Sequence, residues 1–423
     1  MREMKDSGVV WLGNIPETWD LVQLGSLFSE HKNKNTGMQS NNLLSLSYGN
    51  IIRKDINTSD GLLPESFEGY NVIDDGDIIL RLTDLQNDQK SLRVGLSHEK
   101  GIVTSAYVTL RKRNPAMNSQ FFYYLIHSYD VRKGFYGMGA GVRQGLNFAG
   151  VRKIMLTLPS VDEQTAIAAF LGKKITQVDN LIANVQAQIE KLKAYKQSLI
   201  TEVVTKGLDP TVPMKDSGVE WIGEIPAHWE VTRIKNLFEL RNERNDEADL
   251  SKVNLISLYT DLGVVQHSDI VETTGNRAIT AEGYKFVYKN DIVVNIILCW
   301  MGAVGMSRYD GVTSPAYDIY RPLADTNSEY YHYLFRTNRF NGECYRYGRG
   351  IMMMRWRTYS TEFRAINIPC PPAKEQKQIV AYLKEKCTQI DQLIAIKQAK
   401  IEKLEQYKRS LIYEYVTGKK EVM

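Results

Sequence analysis

At 423 residues the chain has room for two or three domains, each able to bury its own core. Its composition, 43% hydrophobic and 24% charged, is that of an ordinary soluble protein, and no apolar run approaches the ~18 residues of a membrane span. A net charge of only +4 excludes a global basic field, so any nucleic-acid footprint must be a local patch. The four cysteines (Cys299, Cys344, Cys370, Cys387) show no CxxC spacing, which argues against a disulfide framework or a zinc site. The opening MREMKDSG has no apolar signal core. A cytoplasmic protein is expected.

The first element is a box, Trp-x-Gly-x-Ile-Pro-x-x-Trp, running from Trp11 to Trp19. Its surrounding segment, MKDSGVVWLGNIPETW at residues 4–19, returns as MKDSGVEWIGEIPAHW at residues 214–229. Four of the six tryptophans lie in these two boxes, and no acidic or cationic set accompanies the rings as a ligand cage would need. A structural Trp–Pro clasp is the expectation.

Residues 21–158 follow, with β-branched runs at 72–85 and 101–113 bounded by turn residues. A Tyr-rich helical stretch, FFYYLIHS, occupies residues 121–128. After it comes a glycine-flanked basic loop, YGMGAGVRQGLNFAGVRKI at 136–154. Glycines let backbone approach a ligand closely, and Arg and Gln can take guanine and adenine bidentately. Arg143 and Gln144 are therefore candidate DNA contacts.

A helix over residues 163–205 carries a heptad: Ile175, Ile182, Ile189, Lys196 and Val203 at one core position, Val178, Val185, Leu192 and Leu199 at the other. A period of 3.5 over about four heptads predicts coiled-coil pairing, and ~40 residues make a rod of roughly 60 Å. Gly207 and Pro210 stop this helix, and the second box begins.

Residues 231–369 echo the first variable region. β-Branched runs at 286–298 and 311–322 keep register with the earlier ones: Asp77-Ile78-Ile79 against Asp291-Ile292-Val293, and Ser105-Ala106-Tyr107 against Pro315-Ala316-Tyr317. YYHYLFRT at 330–337 matches the Tyr-rich helix, and the loop YRYGRGIMMMRWRTYSTEF at 345–363 offers Arg346, Arg349, Arg355 and Arg357. Further basic residues near the start of each region (Lys32, Lys34, Arg53, Lys54; Arg241, Arg244) read as phosphate contacts or a solvated face. Shared landmarks with divergent surfaces are the pattern of two readers of different sequences.

The final helix, 375–417, repeats the heptad with Cys387, Ile394, Ile401, Lys408 and Tyr415, and with Ile390, Lys397, Leu404 and Leu411. Lysines at the matching positions 196 and 408 read either as register-fixing at a cost in stability or as snorkelling side chains near a frayed end. No box follows this helix, while one precedes the first variable region, so the repeats read as a circle cut open. The N-terminal box is expected to pack near the end of the second helix. A period of about 210 residues marks two whole halves rather than a solenoid.

Catalytic motifs fail on inspection. FYGMG at residues 135–139 matches the Phe-x-Gly-x-Gly of adenosylmethionine-dependent methyltransferases, but a helix precedes it and no Asn/Asp-Pro-Pro-aromatic tetrapeptide occurs. There is no GxxxxGK[ST] loop, no His pair at metal-ligand spacing and no nuclease carboxylate–lysine cluster.

The boxes, the Pro-x-x-x-Glu-Gln-x-x-Ile helix starts and the Ile-Glu-Lys-Leu-x-x-Tyr-Lys-x-Ser-Leu-Ile tails at 189–200 and 401–412 resemble the DNA-specificity (S) subunit of type I restriction–modification systems, over the entire chain. The resemblance implies an α+β chain in which two mixed α/β target-recognition domains are separated by two long helices in an antiparallel coiled coil, pseudo-two-fold with circular repeat order. The implied divisions are an N-terminal box at 1–20 paired with the C-terminal repeat, recognition domain one at 21–158, a central repeat at 159–230, recognition domain two at 231–369 and a C-terminal repeat helix at 370–423. It implies a non-catalytic subunit without a cofactor of its own, in which each domain reads one half of a bipartite asymmetric site and the helices set the spacer. The implied partners are double-stranded DNA, two methyltransferase (M) subunits that bind S-adenosylmethionine and methylate adenine N6, and two ATP-dependent restriction (R) subunits, with no membrane. A coiled-coil scaffold without DNA contact is the alternative.

Overall fold

The computed structural model describes residues 2–57, 64, 66–85, 88, 91–138, 145–269, 280–351 and 356–422. Its helices of six or more residues are α1 (Ser119–Val131), α2 (Val161–Lys206), α3 (Ser328–Phe335), α4 (Asn338–Tyr347), α5 (Ser360–Ala365) and α6 (Ala373–Val416). Among the described residues no helix is long and apolar enough to cross a membrane. The architecture is α+β, in two units: residues 1–186 with 398–423, and residues 187–397. The division passes through both long helices, so each unit holds one half of α2 and one half of α6.

Each unit is built on a four-stranded antiparallel sheet of the same order. In the first the order is Phe28–Glu30, Val108–Lys112, Ile78–Leu80, Val94–Leu96. In the second it is Phe238–Arg241, Tyr317–Pro322, Ile292–Asn295, Val304–Met306. The β-branched runs each form two strands. Asn71–Ile73 pairs with Gly101–Val103 while Ile78–Leu80 pairs with Val108–Lys112, and the second unit repeats this with Lys285–Val287 on Gly311–Thr313. The buried Asp77 and Asp291 make the breaks: each accepts from a backbone N–H three residues back, at 2.9 Å, and pairs with an arginine, Arg111 or Arg241.

The doubled motifs turn out to be a doubled clamp. Trp19 and Trp229 are fully buried, and their indole N–H groups donate to Glu163 at 3.2 Å and Glu375 at 2.9 Å, in the first turn of α2 and α6. Burial pushes the Glu163 carboxyl up, but hydrogen bonds from Trp19, Ser160 and Arg2 outweigh it and the net shift is downward. The neighbouring Gln164 and Gln376 accept from the backbone N–H of Asn118 and Asn327 at 3.0 and 3.1 Å. Those two asparagines cap α1 and α3. So a distant Trp and an adjacent Glu-Gln pair join box, long helix and Tyr-rich helix in each unit. Short ladders between Asp20–Gln23 and Met155–Leu158, and between Glu230–Arg233 and Asn367–Cys370, close each variable region at its ends.

The N-terminal box packs on the end of α6, as the internal box packs on the end of α2. The Tyr413 hydroxyl donates to the Trp11 carbonyl at 3.1 Å, and Lys419 Nζ donates to the carbonyls of Leu12 and Asn14. Gly418 stands at φ +73, and a Cβ there would lie 2.4 Å from the Pro16 ring.

The two helices run antiparallel within each unit. In the first, the Phe170 ring packs at a tilt against Tyr415, centroids 4.6 Å apart, and Lys408 pairs with Asp179. In the second, Gln188 accepts from Lys397 and Lys196 pairs with Asp391. Both core-position lysines therefore find an aspartate on the opposite helix at 2.6 Å. The heptad positions Val178, Val185, Ile189, Leu199 and Val203 are buried, as are Cys387, Ile390, Ile401 and Leu411. Ile182, Leu192, Ile394 and Leu404 are only half-buried. A two-helix seam covers one side of such residues and leaves the other to water.

Candidate nucleic-acid interface

In the second unit the basic loop leaves the end of α4, which Thr337 caps through its hydroxyl oxygen. Gly348 caps the helix, and Trp356 lies so close that only glycine fits: a Cβ at 348 would be 2.3 Å from the indole nitrogen. That indole N–H donates to the Tyr345 carbonyl at 3.0 Å, and its ring stacks on Tyr345 with centroids 4.9 Å apart. Trp300 meets Tyr345 edge-on at 5.7 Å. The aromatic group thus fastens both stems of the loop. Past it, Arg349 and Arg357 exchange backbone hydrogen bonds of 2.8 and 2.9 Å, an isolated antiparallel bridge. The chain then returns through buried Thr358, whose N–H donates to the Ile296 carbonyl at 2.9 Å. Ile351 stands 94% exposed beyond the bridge.

The structure therefore places Arg346 in the last turn of α4 and Arg349 and Arg357 across the bridge of the loop that follows, and it gives the first two acidic partners. Arg346 is held by Glu343 one turn earlier, with Nε to Oε2 at 2.9 Å. Arg349 Nη2 lies 2.9 Å from Glu362 in the first turn of α5. Arg355 lies outside the described residues, as do Arg143 and Gln144 of the first unit.

The stems of the first unit's loop are described, and they match. Leu146 N–H donates to the Leu82 carbonyl at 2.9 Å, the counterpart of Thr358 on Ile296. By this register Leu146 and Thr358 are equivalent positions in the two units. At the first loop's base the fully buried Arg93 donates to the carbonyl of Thr83 at 2.8 Å and lies over the Tyr136 ring.

The remaining basic residues divide by burial. Arg241 is only 14% exposed and braces Asp291 and Glu243. Arg53 is 73% exposed beside Glu99, and Lys32 pairs with Glu30 at 3.0 Å. Lys34 and Arg244 donate to the carbonyls of Gly69 and Gly283. Lys54 is exposed. Sequence reasoning missed Glu343 and Glu362, although the Glu343–Arg346 spacing of three on a helix was a legible signal.

Comparison with known proteins bears on the whole arrangement. Residues 226–406 match the family model described as the type I restriction modification DNA specificity domain. The chain is 24% identical over 434 aligned residues to the type I restriction enzyme MjaVIII specificity subunit of Methanocaldococcus jannaschii, covering 96% of this chain and 93% of that one. It is also 24% identical to the putative MjaX specificity subunit of the same organism, over 96% and 95% of the two chains. Among solved structures, a chain from a type I R-M system studied for complex assembly and conformational transition superposes with a TM-score of 0.67 at 14% identity, covering 95% of this chain and 98% of that chain. The HsdS subunit of Thermoanaerobacter tengcongensis superposes at 0.51, also at 14% identity, over 96% and 98%. These two establish likeness of fold. With the doubled clamp and the paired helices, the chain is similar along nearly its whole length to type I restriction enzyme specificity subunits, and residues 226–406 match the type I DNA specificity domain.

Proposed function

We propose that this chain is the DNA-reading subunit of a type I restriction–modification complex, and that each unit reads one half of a bipartite asymmetric site through its own loops. The observation that carries the reading is the contrast inside the molecule. The Trp–Glu and Gln–Asn clamps are the same in both units, while the loops they support differ, Leu146 against Thr358 at matching hydrogen bonds and Gly150 against Glu362 four residues on, for instance. A scaffold without DNA contact would have no use for constant supports under unlike loops. In this reading the chain does no chemistry itself. It directs adenine-N6 methylation by two methyltransferase subunits, which bring S-adenosylmethionine, and cleavage by two ATP-dependent restriction subunits, in the cytoplasm and away from membranes.

The paired helices set the spacer between half-sites. Adding one heptad to both α2 and α6 extends the pair by roughly 10 Å. That is about three base pairs at 3.4 Å each. Methylome sequencing of a host expressing this chain with its methyltransferase partner tests the function directly: one split motif with adenine methylation is the expected result. The heptad variant should lengthen only the unspecified gap. Absence of any sequence-specific methylation, with no gel shift of duplex DNA, would instead favour the scaffold.

A further inference from the structure

The loop of the second unit contains an electrostatic problem and its solution. Arg349 and Arg357 face each other as a hydrogen-bonded pair across an isolated bridge, which places their side chains on one face of the loop. Like charges set directly opposite repel. Glu362 reaches this bridge from α5: its carboxylate is 13% exposed, while the Arg349 guanidinium that it touches at 2.9 Å is 76% exposed. The Thr361 hydroxyl donates to the other carboxylate oxygen at 2.7 Å. That hydrogen bond first, and the Arg349 charge after it, keep the Glu362 carboxyl below the ordinary glutamate range. The backbone of Arg349 is fixed in turn by the bridge and by the Tyr345–Trp356 stack behind Gly348.

We infer that Glu362 is a positioning residue for base readout, holding the Arg349 guanidinium in one orientation so that it selects one base pair of the second unit's half-site. The inference rests on the DNA-reading function proposed above. A long arginine otherwise samples many rotamers, and a fork held in advance loses less freedom when it meets the paired acceptors of a guanine. A carboxylate beside a phosphate-rich ligand works against general affinity, so its presence at this loop needs a reason of another kind. The equivalent position of the first unit, five residues before its closing strand, is Gly150, so the device belongs to the second unit alone.

The test uses the full chain with its methyltransferase partner and a randomised duplex library, followed by affinities for the selected duplex, its single-base variants and an unrelated duplex. Glu362→Gln keeps the size and hydrogen-bonding capacity of the side chain at the start of α5, so a merely structural role would survive it. Discrimination at one base pair of one half-site should fall about tenfold. Binding to the unrelated duplex should stay level or tighten, and the other half-site should be read unchanged. Arg349→Ala should lose discrimination at the same base pair, and Glu362→Asp, which keeps the charge, should retain part of it. If Glu362→Gln reads the site as the natural chain does while Arg349→Ala does not, the positioning role is overturned and the reading function stands. If Arg349→Ala also changes nothing, Arg349 does not read DNA. A Glu362→Gln chain that weakens on every duplex alike would likewise overturn the inference, because that is the signature of a damaged fold.

Discussion

His332 shows how a single residue can set the conditions under which a unit holds together. Its Nδ1 accepts the Met306 backbone N–H at 3.1 Å, a bond only the neutral ring can make this way. Burial, with Arg336 and Arg308 nearby, lowers its pKa to about 3. A depressed histidine is protonated more readily in the unfolded chain, so its stabilising effect is complete above about pH 6.5 and is lost progressively as pH falls toward 3. Between pH 7 and 5 the second unit should lose roughly 1–2 kcal/mol through this residue. His332→Gln, which keeps an acceptor without a titration, should flatten that slope in denaturant melts followed across the pH range. The first unit has opposing groups: burial lowers His127 to about 4 but raises Asp130 to about 6. A carboxyl raised in the fold favours folding as pH falls below 6, so the two largely cancel and the first unit should be the less acid-sensitive.

At the scale of elements, the end of α6 and the helix seam carry the sharpest expectations. Gly418→Ala forces a Cβ toward the Pro16 ring, 2.4 Å away, in a left-handed backbone. It should cost about 1–3 kcal/mol. Thermal melting of the full chain would measure it, and no loss would mean that the N-terminal box is not held there. In the seam, Lys196 and Asp391 are partly exposed, 29% and 56%, so their attraction is modest. Each single reversal, Lys196→Asp or Asp391→Lys, should destabilise by roughly 1 kcal/mol, and the double exchange should recover most of it. A double exchange no better than the singles would deny the pairing a part in helix register.

The whole molecule answers to modularity. Replacing residues 21–158 with the corresponding region of a type I specificity subunit keeps Trp19, Glu163 and Gln164, which lie outside the exchanged segment. The host methylome should then show one new half-site and one unchanged half-site. Alteration of both would show that the units do not read independently, and a loss of all methylation with a folded chain would implicate the clamp on Asn118, which the exchange replaces.

Sequence alone determined the doubled plan, because repetition and heptad period are local in the chain and survive without coordinates. The long helices run at residues 161–206 and 373–416, within two residues of the expected 163–205 and 375–417. It named the Trp–Pro boxes as structural and the arginines of the second loop as neighbours. Tertiary structure decided the rest. The strand runs look continuous because their β-branched residues have no periodicity that marks a break; Asp77 and Asp291 act as turn formers only once Arg111 and Arg241 arrive from other strands. Glu163 and Glu375 are ordinary first-turn acids until an indole from more than a hundred residues away meets them. Arg349 is a surface cation in the sequence, and only the fold brings Glu362 of α5 within 2.9 Å of it. Charge partners depend on distance in space, and spacing in the chain encodes that distance only along a single helix, as it does for Glu343 and Arg346.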